Sequence, residues 1–465
     1  MKKLLILLCM IISMLCLSSC DGIEETEIDI TGKTVITFYA RHFEDWSDEY
    51  TKKVVSEFNK IEGNDVYVDL KIYEAEAYNT AIKVANENGQ SPEIFMSSYS
   101  SLPHDAREGN VAVLNDLFSQ EAWDDLDAEI LDFVKFGGNI YGFPWFSEPG
   151  SLFYYRKDVL AQYGYTSAPK TFAELYEICE KIKADLPPGK YALGLPASPS
   201  DLAWATWGLQ YNLTGGLIVS DNWLEHRIEE PGYKELCKFF YTCSVNKYAN
   251  TTSTTSDGYS NLADMLFNEQ AMMCWGGSWQ IPLFYTLSEE IDDYSMIDKI
   301  GVAPLPTLTG ESGVTTATNG GWCYSISSYA KDDKKAAAVK FIDWLFVQNP
   351  EKLGDYFVQS RMSRISSSKK VQEYLKTVEI DVSSEWVSVV EEVSSTAKPE
   401  AYFSWDLSYQ VSNMLQFFVQ TTDKSYDEAK FEQTYSNVVL KYKKEIETIM
   451  SRQSYKANPW YEMEE

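Results

Sequence analysis

Residues 34–73 read TVITFYARHFEDWSDEYTKKVVSEFNKIEGNDVYVDLKIY, and they contain two strand patterns separated by a helix pattern. Segments 35–39 and 66–73 are rich in β-branched and aromatic residues, which predicts two strands. Between them, apolar residues recur at helical spacing and predict a helix that ends near Gly63. These apolar residues are Trp46, Tyr50, Val54, Phe58 and Ile61.

The same alternation continues down the chain. A second helix is predicted from about Ala75 to the pair Asn88-Gly89, and residues 93–96 follow as a third strand. Strands that alternate with helices predict an α/β fold with a parallel sheet. Ligands of open parallel sheets bind beyond the carboxyl ends of strands, so residues 39–45 and 97–101 are the first candidates for a site.

A second α/β unit is predicted after the segment YGFPW at 141–145. Residues 151–156 have a strand pattern, and Thr171 with Glu174 forms a capping box that predicts the start of a helix. Proline-containing breaks at 303–306 and 348–350 are further predicted points where the chain crosses between units.

Composition excludes several classes of protein. The 465 residues are too many for one small domain, and 45% apolar with 14% aromatic residues is too hydrophobic for a disordered chain. The formal charge of −29 repels phosphate backbones, so no nucleic-acid partner is predicted. No apolar run after residue 20 approaches the roughly 20 residues of a membrane-spanning helix.

The N-terminus has the order of a secretory signal. Lys2 and Lys3 precede an apolar stretch, and Leu17-Ser18-Ser19-Cys20 resembles the bacterial lipobox. We therefore predict a signal peptide over 1–19, lipidation of Cys20, and a tether over 20–32 that anchors the protein on the outside of the cell membrane. The alternative is an ordinary signal peptide, which would leave Cys20 a free thiol and release the protein.

The remaining cysteines of the mature chain form no C-x-x-C pair and are predicted to be small buried hydrophobic residues. They are Cys179, Cys237, Cys243, Cys274 and Cys323. A bridge between Cys237 and Cys243 stays open as an alternative.

The motifs of several enzyme classes are absent. The chain has no glycine-rich nucleotide loop, no G-x-S-x-G and no H-E-x-x-H. The histidines His42, His104 and His226 are too widely separated to suggest a ligand set. We therefore predict no catalytic residue, no cofactor and no metal site.

Tryptophans beside turns are the most informative feature for binding. A ring on a turn can face a cleft, and its flat apolar face suits the C–H patch of a sugar ring. Core packing is an equal alternative for any single one of them. These tryptophans are Trp145, Trp204, Trp207, Trp275, Trp279, Trp322 and Trp405.

Several loose motifs occur in an order that resembles the carbohydrate-binding extracellular solute-binding proteins of family 1. The resemblance covers about residues 33–450. After the lipobox, the motifs are VITFY (35–39), SPEIF (91–95), YGFPW (141–145), YYRKDVL (154–160), APKTF (168–172), AMM (271–273), GSW (277–279) and FIDWL (341–345).

The resemblance implies a periplasmic-binding-protein-like α/β fold, in which two α/β lobes are joined by a hinge that the chain crosses three times around a central ligand cleft. It implies an N-lobe of residues 33–146 and 305–347 and a C-lobe of residues 150–302 and 350–460. The strand ends, the tryptophans beside turns and the resemblance together predict a set of ligand-binding residues. They are Tyr39, Arg41, His42, Glu44, Ser98, Trp145, Glu148, Trp204, Trp275, Trp279, Trp322 and Trp405.

The predicted function is that of a monomeric, lipid-anchored receptor, which captures a mono- or oligosaccharide and delivers it to the permease of an ABC transporter. One alternative is an extracytoplasmic glycoside hydrolase or lyase. Another is a sensor that presents the sugar to a membrane kinase.

Overall fold

A computed structural model describes residues 29–249, 262–403 and 405–452. The predicted signal peptide and the lipidation site Cys20 lie outside these residues, as does most of the predicted tether. Across the described part of the chain, no helix combines the length and the apolar character needed to cross a membrane.

The strands and helices alternate through most of the chain. The strands are β1 Thr34–Arg41, β2 Val66–Tyr73, β3 Ile94–Ser98, β4 Lys135–Phe136, β5 Asn139–Ile140, β6 Phe143–Pro149, β7 Leu152–Arg156, β8 Tyr191–Gly194, β9 Ala271–Gly276, β10 Ile300–Ala303, β11 Thr318–Ile326, β12 Ile365–Ser366 and β13 Lys398–Pro399.

The helices are α1 Asp45–Asn59, α2 Ala75–Glu87, α3 Leu102–Arg107, α4 Gln120–Asp124, α5 Ala128–Asp132, α6 Lys157–Gln162, α7 Phe172–Asp185, α8 Pro199–Trp204, α9 Trp207–Thr214, α10 Pro231–Val245, α11 Leu262–Phe267, α12 Gln280–Ile291, α13 Ser295–Lys299, α14 Asp332–Asp343, α15 Pro350–Gln359, α16 Lys369–Leu375, α17 Ser384–Thr396, α18 Trp405–Val419 and α19 Glu428–Met450. A π-helical segment, Trp344–Gln348, joins α14 to α15.

The first lobe is built on a sheet with the strand order β12-β6-β11-β3-β1-β2, and β13 also pairs with β11. Strand β1 is parallel to β2 and β3, as the alternating pattern predicts, whereas β11 is antiparallel to β3 and β6. Helix α1 buries Tyr50, Val54 and Phe58 against this sheet. The carboxyl ends of β1 and β3 therefore lie at one edge of the sheet.

The second lobe is built on a sheet with the order β10-β7-β9-β8. Its core includes apolar side chains from α7, α10, α17, α18 and α19. The two separate cores confirm the predicted fold class of two α/β lobes.

Two of the three crossings between the lobes differ from the prediction. The first lies where expected, since Phe146 packs in the first core and Leu152 in the second. Leu305 and Ala317 still pack in the second core, so the chain returns to the first lobe at β11 and not at 303–306. The third crossing lies between Ile380 and Val382, well beyond the predicted break at 348–350.

Residues 350–375 consequently belong with the first lobe, and their assignment to the C-lobe is wrong. Pro350 occupies the first turn of α15, where proline is favoured, and is not part of a linker. The helix then buries Leu353, Tyr356 and Phe357 in the first core. Burial of this apolar face holds α15 on the first lobe.

The described cysteines are buried and free, which confirms that they act as small hydrophobic residues. The alternative bridge between Cys237 and Cys243 is wrong. Both residues lie on α10, and side chains six positions apart on a helix project from different faces.

Candidate ligand-binding cleft

The first group of candidate residues lies at the carboxyl end of β1. Arg41 ends this strand, and its guanidinium carbon lies 4.8 Å from the ring centre of Phe43 and 5.2 Å from that of Trp322. Its Nη1 donates to the carbonyl of His42 at 3.0 Å, while Nε and Nη2 donate to no described residue. Burial lowers the pKa of Arg41, although nearby Glu44 and Glu148 oppose the effect. Arg41 therefore has two nitrogens, Nε and Nη2, that can donate to a ligand beside the partly exposed ring of Trp322.

Glu44 lies just before α1 and forms a two-pronged ion pair with Arg364. The Nη2 of Arg364 is 2.7 Å from Oε1 of Glu44, and Nη1 is 3.1 Å from Oε2. The side chains of Arg364 and Glu44 are only 1% and 9% exposed. Such a bidentate pair uses both carboxylate oxygens and fixes the orientation of each group.

Glu148, near the end of β6, is the second partner of Arg364. The guanidinium Nε donates to Oε2 of Glu148 at 2.9 Å, and Nη1 also donates to the hydroxyl of Tyr356 at 2.7 Å. Burial raises the pKa of Glu148, whereas the charge and hydrogen bond of Arg364 lower it. Oε1 of Glu148 accepts no hydrogen bond from any described residue.

Glu400 brings a further carboxylate to the same region. It follows β13, which pairs with β11. Its side chain accepts a hydrogen bond from Ser100, which lies two residues after the end of β3. A Cβ at Gly320 would lie 2.5 Å from Oε1 of Glu400, so a larger residue there would force this carboxyl to move. Burial, together with the charge of Glu148, raises the pKa of Glu400 to about 7.

Two aromatic pairs lie on the second lobe. The ring centres of Trp204, which ends α8, and Trp279, which precedes α12, are 5.7 Å apart, and both residues are partly buried. Trp405, at the start of α18, is 43% exposed and lies 5.6 Å from the buried ring of Trp207. Both pairs present indole surface on the second lobe.

The hinge joins these groups. The amide of Ser278 donates to the carbonyl of Pro149 at 3.1 Å, so Trp279 and Glu148 each lie one residue from that bond. On the other side, the hydroxyl of Tyr211 in α9 donates to the carbonyl of Pro399 at 3.2 Å. These two bonds bring the segments that carry Glu148 and Glu400 next to the segments that carry the tryptophans of the second lobe, and we call this region the cleft.

Comparison of the sequence with known families shows to which family the chain belongs. The profile of the bacterial extracellular solute-binding proteins matches residues 44–347. The chain belongs to this family. The family resemblance that was inferred from the ordered motifs is therefore confirmed.

This solute-binding protein is 28% identical over 212 residues to a probable ABC transporter-binding protein of Deinococcus radiodurans. The match covers 43% of this chain and 46% of the relative, so it spans about half the length of that curated protein.

Solved structures show the same fold at low sequence identity. A chitin oligosaccharide binding protein has a TM-score of 0.72 and 20% identity, covering 89% of this chain and 99% of that one. Maltose-bound T. maritima MalE3 has a TM-score of 0.70 and 20% identity, covering 88% of this chain and 99% of that one. A solute-binding protein of Thermotoga lettingae bound with α-D-tagatose has a TM-score of 0.69 and 17% identity, covering 88% and 100%.

The solute-binding protein brings several of the predicted site residues together. Arg41, Glu44, Glu148 and Trp322 form the first group at the cleft. Trp204 and Trp279 form a pair on the second lobe, and Trp405 forms a different pair with Trp207.

Trp145 and Trp275 are not part of the cleft, and their prediction as ligand contacts is wrong. Trp145 lies on β6, is 0% exposed and packs 4.3 Å from the ring centre of Tyr356. Trp275 lies on β9, is 2% exposed and stacks on Phe240. Each ring is enclosed by the core of its own lobe and leaves almost no surface for a ligand.

Three other predicted ligand residues contact their neighbours in the first lobe, and their role in binding stays a prediction. The ring centre of Tyr39 lies 5.0 Å from that of Tyr73, and the hydroxyl of Ser98 lies 3.0 Å from that of Ser101. His42 contacts Asp48 through Nδ1 at 2.9 Å; although burial opposes protonation, this hydrogen bond and the charge of Asp48 raise the pKa of His42.

Sequence analysis missed Phe43, Arg364 and Glu400. Phe43 falls inside the 39–45 segment that parallel-sheet topology had already indicated. Arg364 is an arginine in the serine-rich run 360–368, an unusual setting that could have drawn attention. Nothing around Glu400 distinguishes it from the other carboxylates of this acidic chain.

No metal site is evident in the part of the chain that the structure describes. Among those residues, no group of three or more His, Cys, Asp or Glu side chains is arranged to hold an ion.

Proposed function

We propose that this protein is a lipid-anchored receptor that binds a mono- or oligosaccharide in the cleft and delivers it to the permease of an ABC transporter. The observation that carries the proposal is the convergence of two kinds of group at the hinge. Arg41 and Glu148 offer free hydrogen-bonding atoms, and Trp322, Trp204 and Trp279 offer aromatic surface.

This combination suits a sugar because a pyranose ring has both apolar C–H faces and polar hydroxyls. Indole rings pack on the faces, while a guanidinium donates to hydroxyl oxygens and a carboxylate accepts from hydroxyl protons. The sugars of the structural neighbours, namely maltose, tagatose and chitin oligosaccharide, support the same ligand class.

Membrane attachment through Cys20 is part of the proposal. Its support is the lipobox-like sequence Leu17-Ser18-Ser19-Cys20 behind an apolar stretch. Attachment through two or more acyl chains is stable, whereas one chain alone gives only marginal binding. The receptor would then stay close to its permease.

A glycoside hydrolase is the second candidate, and one observation favours it. Glu148 and Glu400 interact electrostatically, and the pKa of Glu400 is raised to about 7, which suits a general acid. Membership of the solute-binding family and the sugar-binding structural neighbours make binding the preferred function.

The deciding experiment is a thermal-shift screen of the folded, processed protein against neutral mono- and oligosaccharides, followed by calorimetry on any hit. A ligand that binds only the folded state raises the melting temperature by mass action. Chromatography after prolonged incubation should recover the sugar intact. No hit across the screen would contradict sugar binding, and turnover of the sugar would favour the hydrolase.

Transport is separated from sensing by uptake of a labelled form of the identified sugar. Cells that lack this protein should lose uptake if it serves a permease. Unchanged uptake, together with loss of a transcriptional response to the sugar, would favour the sensor.

A further inference from the structure

Arg364 is a buried cation whose hydrogen bonds go to other side chains of the first lobe. Four of its hydrogen bonds go to Glu44, Glu148 and Tyr356, and its side chain is 1% exposed. Its guanidinium also lies within 5.6 Å of the ring centres of surrounding aromatic residues, namely Phe43, Trp46, Phe146 and Tyr356. A side chain so enclosed can influence binding only through the groups that it holds.

The two carboxylates that bind Arg364 differ in how many oxygens they leave available to a ligand. Both oxygens of Glu44 face the guanidinium, so Glu44 has little left to offer a ligand. Glu148 uses only Oε2, and its Oε1 has no partner among the described residues. A carboxylate that is 7% exposed is costly to keep ionised unless a cation lies beside it.

We propose that Arg364 is a positioning residue of the sugar site, which keeps Glu148 ionised and oriented so that Oε1 accepts a hydrogen bond from a ligand hydroxyl. Glu44 acts as the second anchor that fixes the plane of the guanidinium. This inference rests on the proposed function, because it assigns the acceptor of the same site.

The loop that carries Arg364 is fixed to the strand that carries Glu148. Strand β12 pairs with β6, with Ile365 opposite Ser147, so Arg364 and Glu148 are adjacent to paired residues. The hydroxyl of Ser367 donates to the carbonyl of Pro144 at 2.6 Å, which adds a second connection. Arg361 and Met362 enter the loop with φ of 55° and 57°, an unfavourable conformation for residues other than glycine. The surrounding structure holds the backbone in this strained conformation, as expected if the loop must keep the Arg364 side chain in one place.

The electrostatics agree with the geometry. Burial raises the pKa of Glu148, and the charge and hydrogen bond of Arg364 are the largest influences that lower it. The other charges near Glu148 are Glu44, which raises its pKa, and Arg41, which lowers it, and Glu400 interacts with it from the β13 segment. The net effect is a pKa of Glu148 above its usual range, and loss of Arg364 would raise this pKa further.

The test compares Arg364→Met and Arg364→Lys with the parent, and Arg156→Met serves as the matched control. Arg156 is a buried arginine of the second lobe, 3% exposed, and it pairs with Asp158 and Glu269 away from the cleft. The first measurement is the ¹³C carboxyl titration of Glu148 in the ligand-free protein, assigned by its loss in Glu148→Gln. We expect the midpoint to move up by a pH unit or more in Arg364→Met, by less in Arg364→Lys, and not at all in Arg156→Met.

The second measurement is the dissociation constant for the sugar found in the screen, between pH 5.5 and 8.5. Arg364→Met should bind roughly tenfold more weakly at pH 6 and recover part of the loss as the pH rises, because only the ionised carboxylate accepts from a hydroxyl without donating. Arg156→Met should lower the melting temperature and leave affinity unchanged. If Arg364→Met does not fold, Arg364→Lys, which keeps one positive charge, provides both readouts.

An unchanged Glu148 titration in the Arg364 variants would overturn the inference, as would parental affinity across the pH range. Failure of the proposed function would look different. In that case the parent itself would bind no sugar, while the Glu148 titration of the ligand-free Arg364 variants would still shift.

Discussion

The amide of Ser278 and the carbonyl of Pro149 are joined by a hydrogen bond of 3.1 Å that connects the two lobes at the hinge. The bond places Glu148 of the first lobe and Trp279 of the second lobe on either side of the same crossing. An acceptor and an aromatic ring from different lobes can thus contact one ligand, and the predictions below begin with these two residues.

Trp279→Ala should weaken sugar binding by about 1–3 kcal/mol, because an indole that packs on the ligand contributes on this order. Truncating a core tryptophan lowers the free energy of unfolding by about 3–5 kcal/mol. Trp279 is only partly buried against the second core, so its truncation should lower this free energy by less. Calorimetry and ligand-free melting measure the two effects. Trp275→Ala, in the core, is the control with the larger loss of stability; a Trp279 variant that melts as low as this control yet binds like the parent would place Trp279 in the core.

Glu148→Gln should lower affinity and leave the sugar intact, because the variant retains size and an acceptor oxygen but loses the negative charge that strengthens the hydrogen bond. The change also leaves Arg364 with one charged partner, so a moderate fall in melting temperature is expected. Calorimetry and chromatography of the incubated sugar are the measurements. Product formation by the parent that disappears in the variant would instead identify Glu148 as catalytic.

Glu400→Gln should change stability in a pH-dependent way. Burial raises the pKa of Glu400 to about 7 in the folded protein, so its ionisation destabilises the fold progressively between about pH 4.5 and 7 and no further above that range. The variant should therefore be more stable than the parent at pH 8, by at most about 3 kcal/mol, and the difference should shrink toward pH 5. Chemical denaturation at the two pH values tests this.

The exposed Glu391 of α17 provides the control for that experiment, since Glu391→Gln should show no such pH dependence. An equal difference between Glu400→Gln and the parent at both pH values would contradict the role of the Glu400 carboxyl.

Cys20→Ala should prevent lipidation and release the protein from membranes. The reason is that acyl chains on this residue are the only attachment that the proposal includes. Fractionation followed by gel mobility is the measurement. A variant that stays membrane-bound with unchanged mobility would show that the lipobox interpretation is wrong.

Ligand should bring the lobes together and reduce the radius of gyration in solution scattering. The crossings near Gly150, Thr318 and residue 381 are short, so a few backbone positions can absorb a rotation while both sheets stay rigid. An identical radius at saturating sugar would contradict closure, although binding itself would be unaffected.

Local sequence patterns were sufficient for the beginning of the fold. The β-rich runs and the helical spacing of Tyr50, Val54 and Phe58 predicted β1, α1 and β2, because each pattern is a property of residues close together in the chain. Parallel topology then indicated the carboxyl end of β1, where Arg41 and Phe43 lie against Trp322. The ordered motifs led to the correct family.

Local patterns could not locate the third crossing or separate the tryptophans. Pro350 looks the same in sequence whether it starts a helix or a linker, and only the packing of α15 on the first core distinguishes the two. Trp145 and Trp322 both follow proline or glycine, yet β6 is buried along its length, whereas Trp322 is partly exposed beside Arg41.

The α/β class, the first units of the sheet and the family can be read from local sequence, since they depend on periodicity, turns and motif order. The pairing of the buried charges follows only from the tertiary structure. Arg364 binds Glu44 across 320 positions and Glu148 across 216, and no spacing rule reaches that far. Charge pairing depends on distance in space and on burial, and both arise only when the two cores have formed.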